Sequence, residues 1–264
     1  MKIVVTIKQV YDPETVRVSR SLGMLDTRQA ELMMNPGDRH ALEEALKLKD
    51  ENAATVVAVS LGPPEAEDIL REALAMGVDE AVLLTGDALA EVDAPAAVMV
   101  LGEAIKRIGD HDLVVTGVRA AGDGTGEFAP RLAGYLGLPH VLRATSVSVT
   151  EGRLSAKRSL SSGYALVEAA LPAVVAVEEG SNRPRHPSLP GSIAAYDEHS
   201  VMVWGVEELG LTAEDVAEAR RTEVRGSEAA PERERGRAIA GEPSDAAREL
   251  VGELSTRGLL SRSR

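Results

Sequence analysis

Residues 113–136 read LVVTGVRAAGDGTGEFAPRLAGYL, and this stretch decides the fold class. Its first four residues form an apolar, β-branched run that is typical of a strand buried on both faces. Small residues follow as far as Gly126, and the pattern beyond them predicts a helix that starts near Glu127. Parallel sheets bind ligands beyond the carboxyl ends of their strands, where glycines let the backbone approach a phosphate and a helix start offers free N–H groups. The segment therefore predicts either a nucleotide-binding loop or an ordinary strand-to-helix connection, in which Thr125 caps the helix or offers its hydroxyl to the ligand.

Similar strand patterns precede this segment. Further buried-type runs lie at residues 2–7 (KIVVTI), 55–60 (TVVAVS) and 81–84 (AVLL). Segments of helical period lie between them at residues 37–50, 65–76 and 95–108. Asp93 is placed to cap the third helix, while Gly77 and Gly109 follow the ends of the second and third. Alternation of strands and helices predicts an α/β domain with a parallel sheet and helices on both faces.

The pattern changes after Pro139. Polar and apolar residues alternate at residues 144–149, 153–160 and 164–169, which predicts an antiparallel extension of the sheet. Residues 172–177 return to a buried-type strand, and residues 179–191 read as a loop with three prolines. We expect residues 1–204 to form one nucleotide-binding α/β domain.

Residues 205–264 contain no aromatic side chain and too few apolar residues for a core of their own. Helices are expected at residues 209–221 and 244–254. In the second of these helices, an apolar stripe is formed by Ala246, Leu250, Val251 and Leu254. We expect this segment to be a C-terminal arm that packs on a partner subunit.

Composition excludes several classes of function. The 264 residues include no cysteine, so a thiol nucleophile, a thiolate metal site and disulfides are excluded. A net charge of −13 argues against sequence-independent nucleic-acid binding, which depends on Lys and Arg. No apolar stretch approaches the length of a bilayer span and no cleavable signal pattern follows the first residues, so a cytoplasmic protein without membrane insertion is expected.

Signatures of bond-making catalysis are missing from the sequence. The five histidines, His40, His111, His140, His186 and His199, have no metal-ligand spacing. A nucleophile elbow and the standard dinucleotide and P-loop spacings do not occur either. We therefore predict no catalytic residue and no metal ligand.

Residues 182–190 read NRPRHPSLP, with prolines on both sides of Leu189. Prolines restrict the chain before it binds, so they can preorganise a protruding apolar contact. Arg183, Arg185 and Leu189 are candidates for docking a partner protein; surface charges on a stiff connection are the alternative.

Five stretches together resemble the β subunit of electron transfer flavoprotein over nearly the whole chain. They are KIVVTIKQVYD at residues 2–12, MNPGDRHALEEAL at 34–46, VSLGPPEAEDILREALAMGVDEAVLL at 59–84, LPAVVAVEEGSNRPRHPSLPG at 171–191 and GRAIAGEPSDAARELVGELSTRGLL at 236–260. The fourth stretch is similar to the long LPAVVTV…NxPRxxxLP signature of that family.

The resemblance implies a heterodimer that carries electrons without making bonds in this chain. Its α subunit would hold the redox-active FAD, and this chain would hold one structural AMP. Electrons would pass from flavin dehydrogenases, such as acyl-CoA dehydrogenases, to a quinone-linked acceptor. Leu189 falls at the family's docking leucine, and the C-terminal arm would wrap the α subunit. Carried over by position, the cofactor-binding residues are Thr6, Lys8, Asn35, Pro36, Gly37, Asp38, Leu61, Gly62, Gly117, Val118, Arg119, Ala120, Gly122, Asp123, Gly124 and Thr125.

Two other hypotheses remain open. Electron-bifurcating members of the family place a second FAD in this cleft and oxidise NADH. They tend to have the pattern GRQxxDGDTxQVGP, and the corresponding residues 117–130 here read GVRAAGDGTGEFAP. Arg119, Gly122, Gly124 and Glu127 depart from that pattern, and Glu127 would repel a phosphate unless it points away or pairs with Arg119. A stand-alone nucleotide-binding regulatory module is the alternative from another class.

Overall fold

A computed structural model describes residues 1–19, 24–122, 124–223, 225 and 236–260. It divides the chain into two compact units, Met1–Gly226 and Ser227–Arg264. The first unit contains all of the sheets and the helices up to α6, and helix α7 belongs to the second.

Thirteen strands are formed by the residues that the structure describes. They are β1 (Lys2–Thr6), β2 (Gln9–Tyr11), β3 (Arg17–Ser19), β4 (Met24–Asp26), β5 (Leu32–Met34), β6 (Thr55–Leu61), β7 (Glu80–Leu84), β8 (Leu113–Gly117), β9 (His140–Thr150), β10 (Arg153–Leu160), β11 (Gly163–Ala170), β12 (Ala173–Val177) and β13 (Val201–Trp204). The helices are α1 (Pro36–Asn52), α2 (Glu67–Met76), α3 (Ala94–Ile108), α4 (Phe128–Leu136), α5 (Leu189–Asp197), α6 (Ala213–Ala219) and α7 (Pro243–Thr256).

The main sheet has nine strands in the order β11-β10-β9-β12-β8-β1-β6-β7-β13. Pairing is parallel from β9 to β13, while β10 and β11 continue the sheet beyond β9 as antiparallel strands. The predicted parallel sheet with an antiparallel extension is therefore confirmed. The short pairs β2–β5 and β3–β4, and the edge strand β13, were not predicted, because three or four residues are too few to show a period.

Helices cover both faces of the sheet, as predicted. Along β1, Ile3 and Val5 pack into one apolar core with α1 and α2, whereas Val4 packs into a second core with α3 and α4. Successive side chains of a strand point to opposite faces, so a strand buried on both faces is apolar throughout.

Asp93 and Gly77 act as the helix start and stop signals that the sequence predicts. The Asp93 carboxylate accepts a hydrogen bond from the N–H of Ala96 at the start of α3, and Gly77 ends α2 with φ of +117°. The expected helix at residues 65–76 begins as a 3-10 turn over Pro64–Ala66 and continues as α2.

The prediction of a loop at residues 179–191 was wrong for its last three residues. Residues 189–191 were expected to be loop, but Leu189 is the first residue of α5. The Ser188 hydroxyl accepts from the N–H of Gly191, and Pro190 lies in the first turn, where its missing N–H costs nothing. The prolines of this segment therefore start a helix as well as stiffen a loop.

The chain after β13 contains less helix than expected between residues 209 and 221. Only α6 forms there, and it starts with a capping box between Thr212 and Asp215. Its Val216 side chain is buried in the apolar core on the α3 side of the sheet. This packing makes the first unit extend beyond residue 204 to Gly226. The expected helix at 244–254 is confirmed as α7, which buries none of its described residues. No helix in the described ranges is long and apolar enough to cross a membrane.

Candidate functional site

A cleft of about 350 Å³ lies at the carboxyl ends of β1, β6 and β8. The chain passes from β1 to β6 on one side and later returns to β8 on the other side of β1. The cleft therefore lies at the point where the strand order reverses, which is the usual ligand position in open parallel sheets. Its volume falls within the range of small-molecule sites.

The fold brings most of the predicted cofactor residues to this cleft. Lining residues that were predicted are Thr6, Lys8, Asp38, Leu61, Gly62, Gly117, Val118, Arg119, Ala120 and Thr125. Predicted residues that do not line it are Asn35, Pro36, Gly37, Gly122 and Gly124, while Asp123 lies outside the described residues.

One wall of the cleft was missed by the sequence reasoning. It is formed by the turn before α3 and the start of that helix, with the lining residues Leu89, Ala90, Val92, Asp93, Ala94, Ala97 and Leu101. Asp93 was predicted only as a helix cap. Its position after β7 could have suggested the wall, since β7 ends at the same edge of the sheet as β6.

Asn35 braces the glycine loop from behind the cleft. Its side-chain N–H donates to the carbonyl of Arg119 at 2.9 Å, and its side-chain oxygen accepts from the N–H of Ala121 at 3.0 Å. Both partners belong to the loop that follows β8. Asn35 therefore shapes the binding loop although it does not line the cleft.

Asp38 links the same loop to β1. Its two carboxylate oxygens accept hydrogen bonds from the backbone N–H of Lys8 at 2.9 Å and of Gly117 at 3.2 Å. Burial raises the pKa of Asp38 to about 7, although the hydrogen bonds from Asn35, Lys8 and Gly117 oppose this shift. The carboxyl group therefore titrates near neutral pH at the floor of the cleft.

Two glycines let the start of α1 approach the end of β8. A Cβ at Gly117 would collide with the Asp38 carboxylate and lie 2.8 Å from the carbonyl carbon of Gly37. A Cβ at Gly37 would lie 3.1 Å from the carbonyl oxygen of Arg119. These residues act through close backbone packing, which a side chain would prevent.

Positive charge reaches the cleft from Lys8 and Arg119. Both side chains are exposed, and neither forms an ion pair with the part of the chain that the structure describes. Glu127 pairs with Arg131 at 2.9 Å and not with Arg119. The expected repulsion between Glu127 and a phosphate is thus reduced by a cation on the next turn of α4.

Of the two alternatives predicted for Thr125, the cap of the helix after the loop is not formed. Helix α4 starts at Phe128, and Glu127 occupies its N-cap position without a side-chain hydrogen bond to the first turn. Gly126 adopts φ of +69° and separates Thr125 from the helix. Thr125 lines the cleft instead, and the first turn of α4 keeps N–H groups that no cap side chain satisfies.

The predicted docking residues lie away from the cleft on the segment before α5. Leu189 is 76% exposed at the first position of α5, and Arg183 is exposed as well. Arg185 is engaged within the chain: its guanidinium pairs with Glu43 at 3.0 Å and with Asp50 at 2.9 Å. Ile193 and Tyr196, which the sequence reasoning did not select, are exposed on the same helix and continue an apolar stripe from Leu189.

Clusters of acidic and histidine side chains that could hold a metal ion do not occur within the described ranges. His40 contacts Asn182 through its Nδ1 atom at 2.9 Å, so it braces the segment that precedes α5.

Comparison with known proteins assigns the chain to a family. Residues 23–208 match the model of the electron transfer flavoprotein domain. The chain is 32% identical to the electron transfer flavoprotein subunit beta of Thermoanaerobacterium thermosaccharolyticum, over 98% of this chain and 100% of that protein. It is 33% identical to the caffeyl-CoA reductase-Etf complex subunit CarD of Acetobacterium woodii, with the same coverage. The beta subunit of Bacillus subtilis is 34% identical over 96% of this chain and 97% of its own length.

Proposed function

The chain belongs to the electron transfer flavoprotein family as a β-type subunit, and from this membership we propose that it pairs with an α-type subunit to carry electrons between other flavoproteins and an acceptor. The proposed donors are flavin dehydrogenases such as acyl-CoA dehydrogenases, and the proposed acceptor is a quinone-linked oxidoreductase. Similarity over nearly the full length of β-type relatives is the observation that carries this proposal.

The proposed ligand of this chain's cleft is AMP. The cavity of about 350 Å³ suits a mononucleotide, and its rim offers Lys8, Arg119 and the uncapped start of α4 to a phosphate. Glycine at position 117 keeps the floor open, while Leu61 and Leu101 supply apolar surface for a base. The residues present therefore fit the group. AMP would contribute structure and no redox chemistry.

The α-type subunit is proposed to hold most of the contacts to a redox-active FAD, which supplies electron storage when it is bound. This chain would contribute a fixed surface against which the flavin-bearing domain and the dehydrogenase meet. We propose Leu189 and the exposed Arg183 of the same segment as contacts for the dehydrogenase, because an exposed leucine on a braced segment costs little entropy to bury. The arm, with α7, is proposed to pack on the α-type subunit, since its apolar Leu250 and Val251 are exposed.

A second candidate function is favoured by the similarity to a subunit of a caffeyl-CoA reductase-Etf complex. In this alternative, a second FAD occupies the cleft and accepts a hydride from NADH. Gly122 and Gly124 in place of acidic residues, and Arg119 in place of glutamine, support AMP over this alternative.

Nucleotide content separates these proposals. The chain is purified with its co-purifying partner, the complex is denatured, and the released adenine nucleotides are quantified per chain. One AMP and one FAD per heterodimer are expected for the electron carrier. Two FAD without AMP would instead establish the second candidate, and a partner-free chain without any adenine nucleotide would refute both.

A further inference from the structure

The segment that carries Leu189 is anchored to α1 by two carboxylates that are almost completely buried. Glu43 and Glu44 lie in α1 and are 4% and 6% exposed. Buried carboxylates need partners, because an unpaired charge is costly away from water. Each of them has a partner about 140 positions later in the chain, in the segment before α5.

Glu43 receives three hydrogen bonds from one residue of this segment. The backbone N–H of Arg185 donates at 2.9 Å, its Nε at 3.0 Å and its Nη2 at 3.2 Å. The guanidinium also reaches the exposed carboxylate of Asp50 at 2.9 Å. A bidentate pair of this kind fixes both the position and the orientation of the arginine.

Glu44 and His40 hold the segment at a second point. The Asn182 side chain donates to Glu44 at 3.0 Å and to the carbonyl of His40 at 2.9 Å. The other carboxylate oxygen of Glu44 accepts from the N–H of Val147 on β9. The segment is therefore fixed at residues 182 and 185 before it reaches Leu189.

Helix α5 is fixed on its other side by α2. A Cβ at Gly191 would collide with the carbonyl of Ala75, so the two helices touch through backbone. The guanidinium of Arg71 donates to the carbonyl of His199 at 2.8 Å and also to that of Ala195. Leu189 thus projects from between two anchored points, and its exposed position depends on both.

We propose that Glu43 is a positioning residue for docking: through Arg185 it holds the 182–188 segment in the shape that presents Leu189 to an electron-donating flavoprotein. This role rests on the proposed function. It also assigns Arg185, a predicted docking contact, to bracing within the chain. Because Glu43 is buried, it cannot touch a docked protein, so any effect of Glu43 on docking must pass through the segment.

The test uses the heterodimer and an acyl-CoA dehydrogenase that reduces it, with Glu43→Gln, Arg185→Gln and Leu189→Ala compared. Glu51→Gln is the matched control, because Glu51 is an exposed carboxylate on the same helix. With the Glu43→Gln and Arg185→Gln heterodimers as electron acceptors, we expect the KM of the dehydrogenase for the heterodimer to rise about tenfold while kcat is unchanged. The reason is that a loosened segment must be ordered on binding. Amide exchange should accelerate over residues 182–197 and stay at the wild-type rate over residues 113–121.

Three results would overturn the proposal. In the first, Arg185→Gln raises KM and Glu43→Gln leaves it unchanged, which would make Arg185 a direct contact. In the second, Glu43→Gln lowers kcat and accelerates exchange throughout the chain, which would make Glu43 a general stability residue; Arg185→Gln, which keeps its backbone bond to Glu43, checks this case. In the third, exchange over residues 182–197 does not change in either variant.

Failure of the proposed function would give a different result. Either no dehydrogenase reduces the wild-type heterodimer, or the Leu189→Ala variant has the wild-type KM.

Discussion

Single residues at the floor of the cleft act through their size and their protonation. Gly117 is the last residue of β8, and the absence of a side chain there lets Asp38 reach its backbone N–H. Asp38 in turn joins the ends of β1 and β8, the two strands between which the strand order reverses. The shape of the site therefore depends on atoms that a bound ligand need not touch.

Replacement of Gly117 by alanine is expected to disturb this floor. The new methyl group would collide with the Asp38 carboxylate and lie 2.8 Å from the carbonyl carbon of Gly37. Overpacking of this kind costs about 1–3 kcal/mol of stability, and we expect bound nucleotide per chain to fall as well. Thermal unfolding and nucleotide quantification check this, with Gly134→Ala as the control because open space surrounds that position. An unchanged nucleotide content in Gly117→Ala would contradict the prediction.

The titration of Asp38 is expected to make stability fall as pH rises. In the folded chain the carboxyl keeps its proton up to about pH 7, whereas in the unfolded chain it ionises near pH 4. Between these values the folded state binds more protons, so the free energy of unfolding decreases with increasing pH. Relative to the Asp38→Asn variant, the free energy of unfolding of the wild-type chain should decrease by about 1–2 kcal/mol between pH 5.5 and pH 8. Urea unfolding at constant ionic strength measures this difference, and a difference that does not change with pH would refute it.

At the scale of single elements, α5 combines a fixed side with an apolar exposed stripe. Its buried Ala195 and the close contact at Gly191 hold it on α2, while Leu189, Ile193 and Tyr196 remain exposed at helical spacing. The Arg71 guanidinium lies 5.2 Å from the Tyr196 ring centroid, which orients the end of the stripe. This arrangement presents a short apolar ridge in a chain that is otherwise strongly acidic.

We expect Ile193→Ala to weaken docking without changing the fold. The side chain is 55% exposed in the free chain, so its loss removes little internal packing. If a dehydrogenase covers the stripe, losing the buried methylenes raises KM by about fivefold or more. Steady-state reduction of the heterodimer measures KM, with Glu198→Ala, an exposed position just beyond the helix, as the control. Equal KM values for the two variants would limit the docking surface to Leu189.

At the scale of the whole molecule, the two compact units suggest separate roles. The first unit holds both apolar cores, whereas the described part of the second consists mainly of α7 with no buried residue. An amphipathic helix without a local core needs another surface to cover its apolar side. We therefore propose that the first unit provides the folded core and that the second takes part in association.

Removal of Ser227–Arg264 is expected to leave the first unit folded and to weaken assembly. The truncated chain should show the circular dichroism and cooperative unfolding of an α/β domain, because both cores remain complete. Co-purification of the α-type subunit should decrease at equal expression. A truncated chain that fails to fold would contradict the division of roles, and one that retains full assembly would exclude the arm from the interface.

The sequence by itself determined the parallel sheet, its antiparallel extension and ten of the residues that line the cleft. Buried parallel strands must be apolar throughout, and residues such as Lys8, Leu61 and Gly117 lie at or just beyond the carboxyl ends of their strands. Local order was therefore enough to place them at one edge of the sheet. Relations between distant segments were decided only by the tertiary structure. Three such relations join residues that are far apart in sequence. They are the ion pair between Glu43 and Arg185, the cleft wall that contains Asp93, and the hydrogen bonds of Asn35 to the loop after β8. No local pattern encodes such contacts, because a carboxylate on a helix looks the same in sequence whether water or a distant arginine satisfies it.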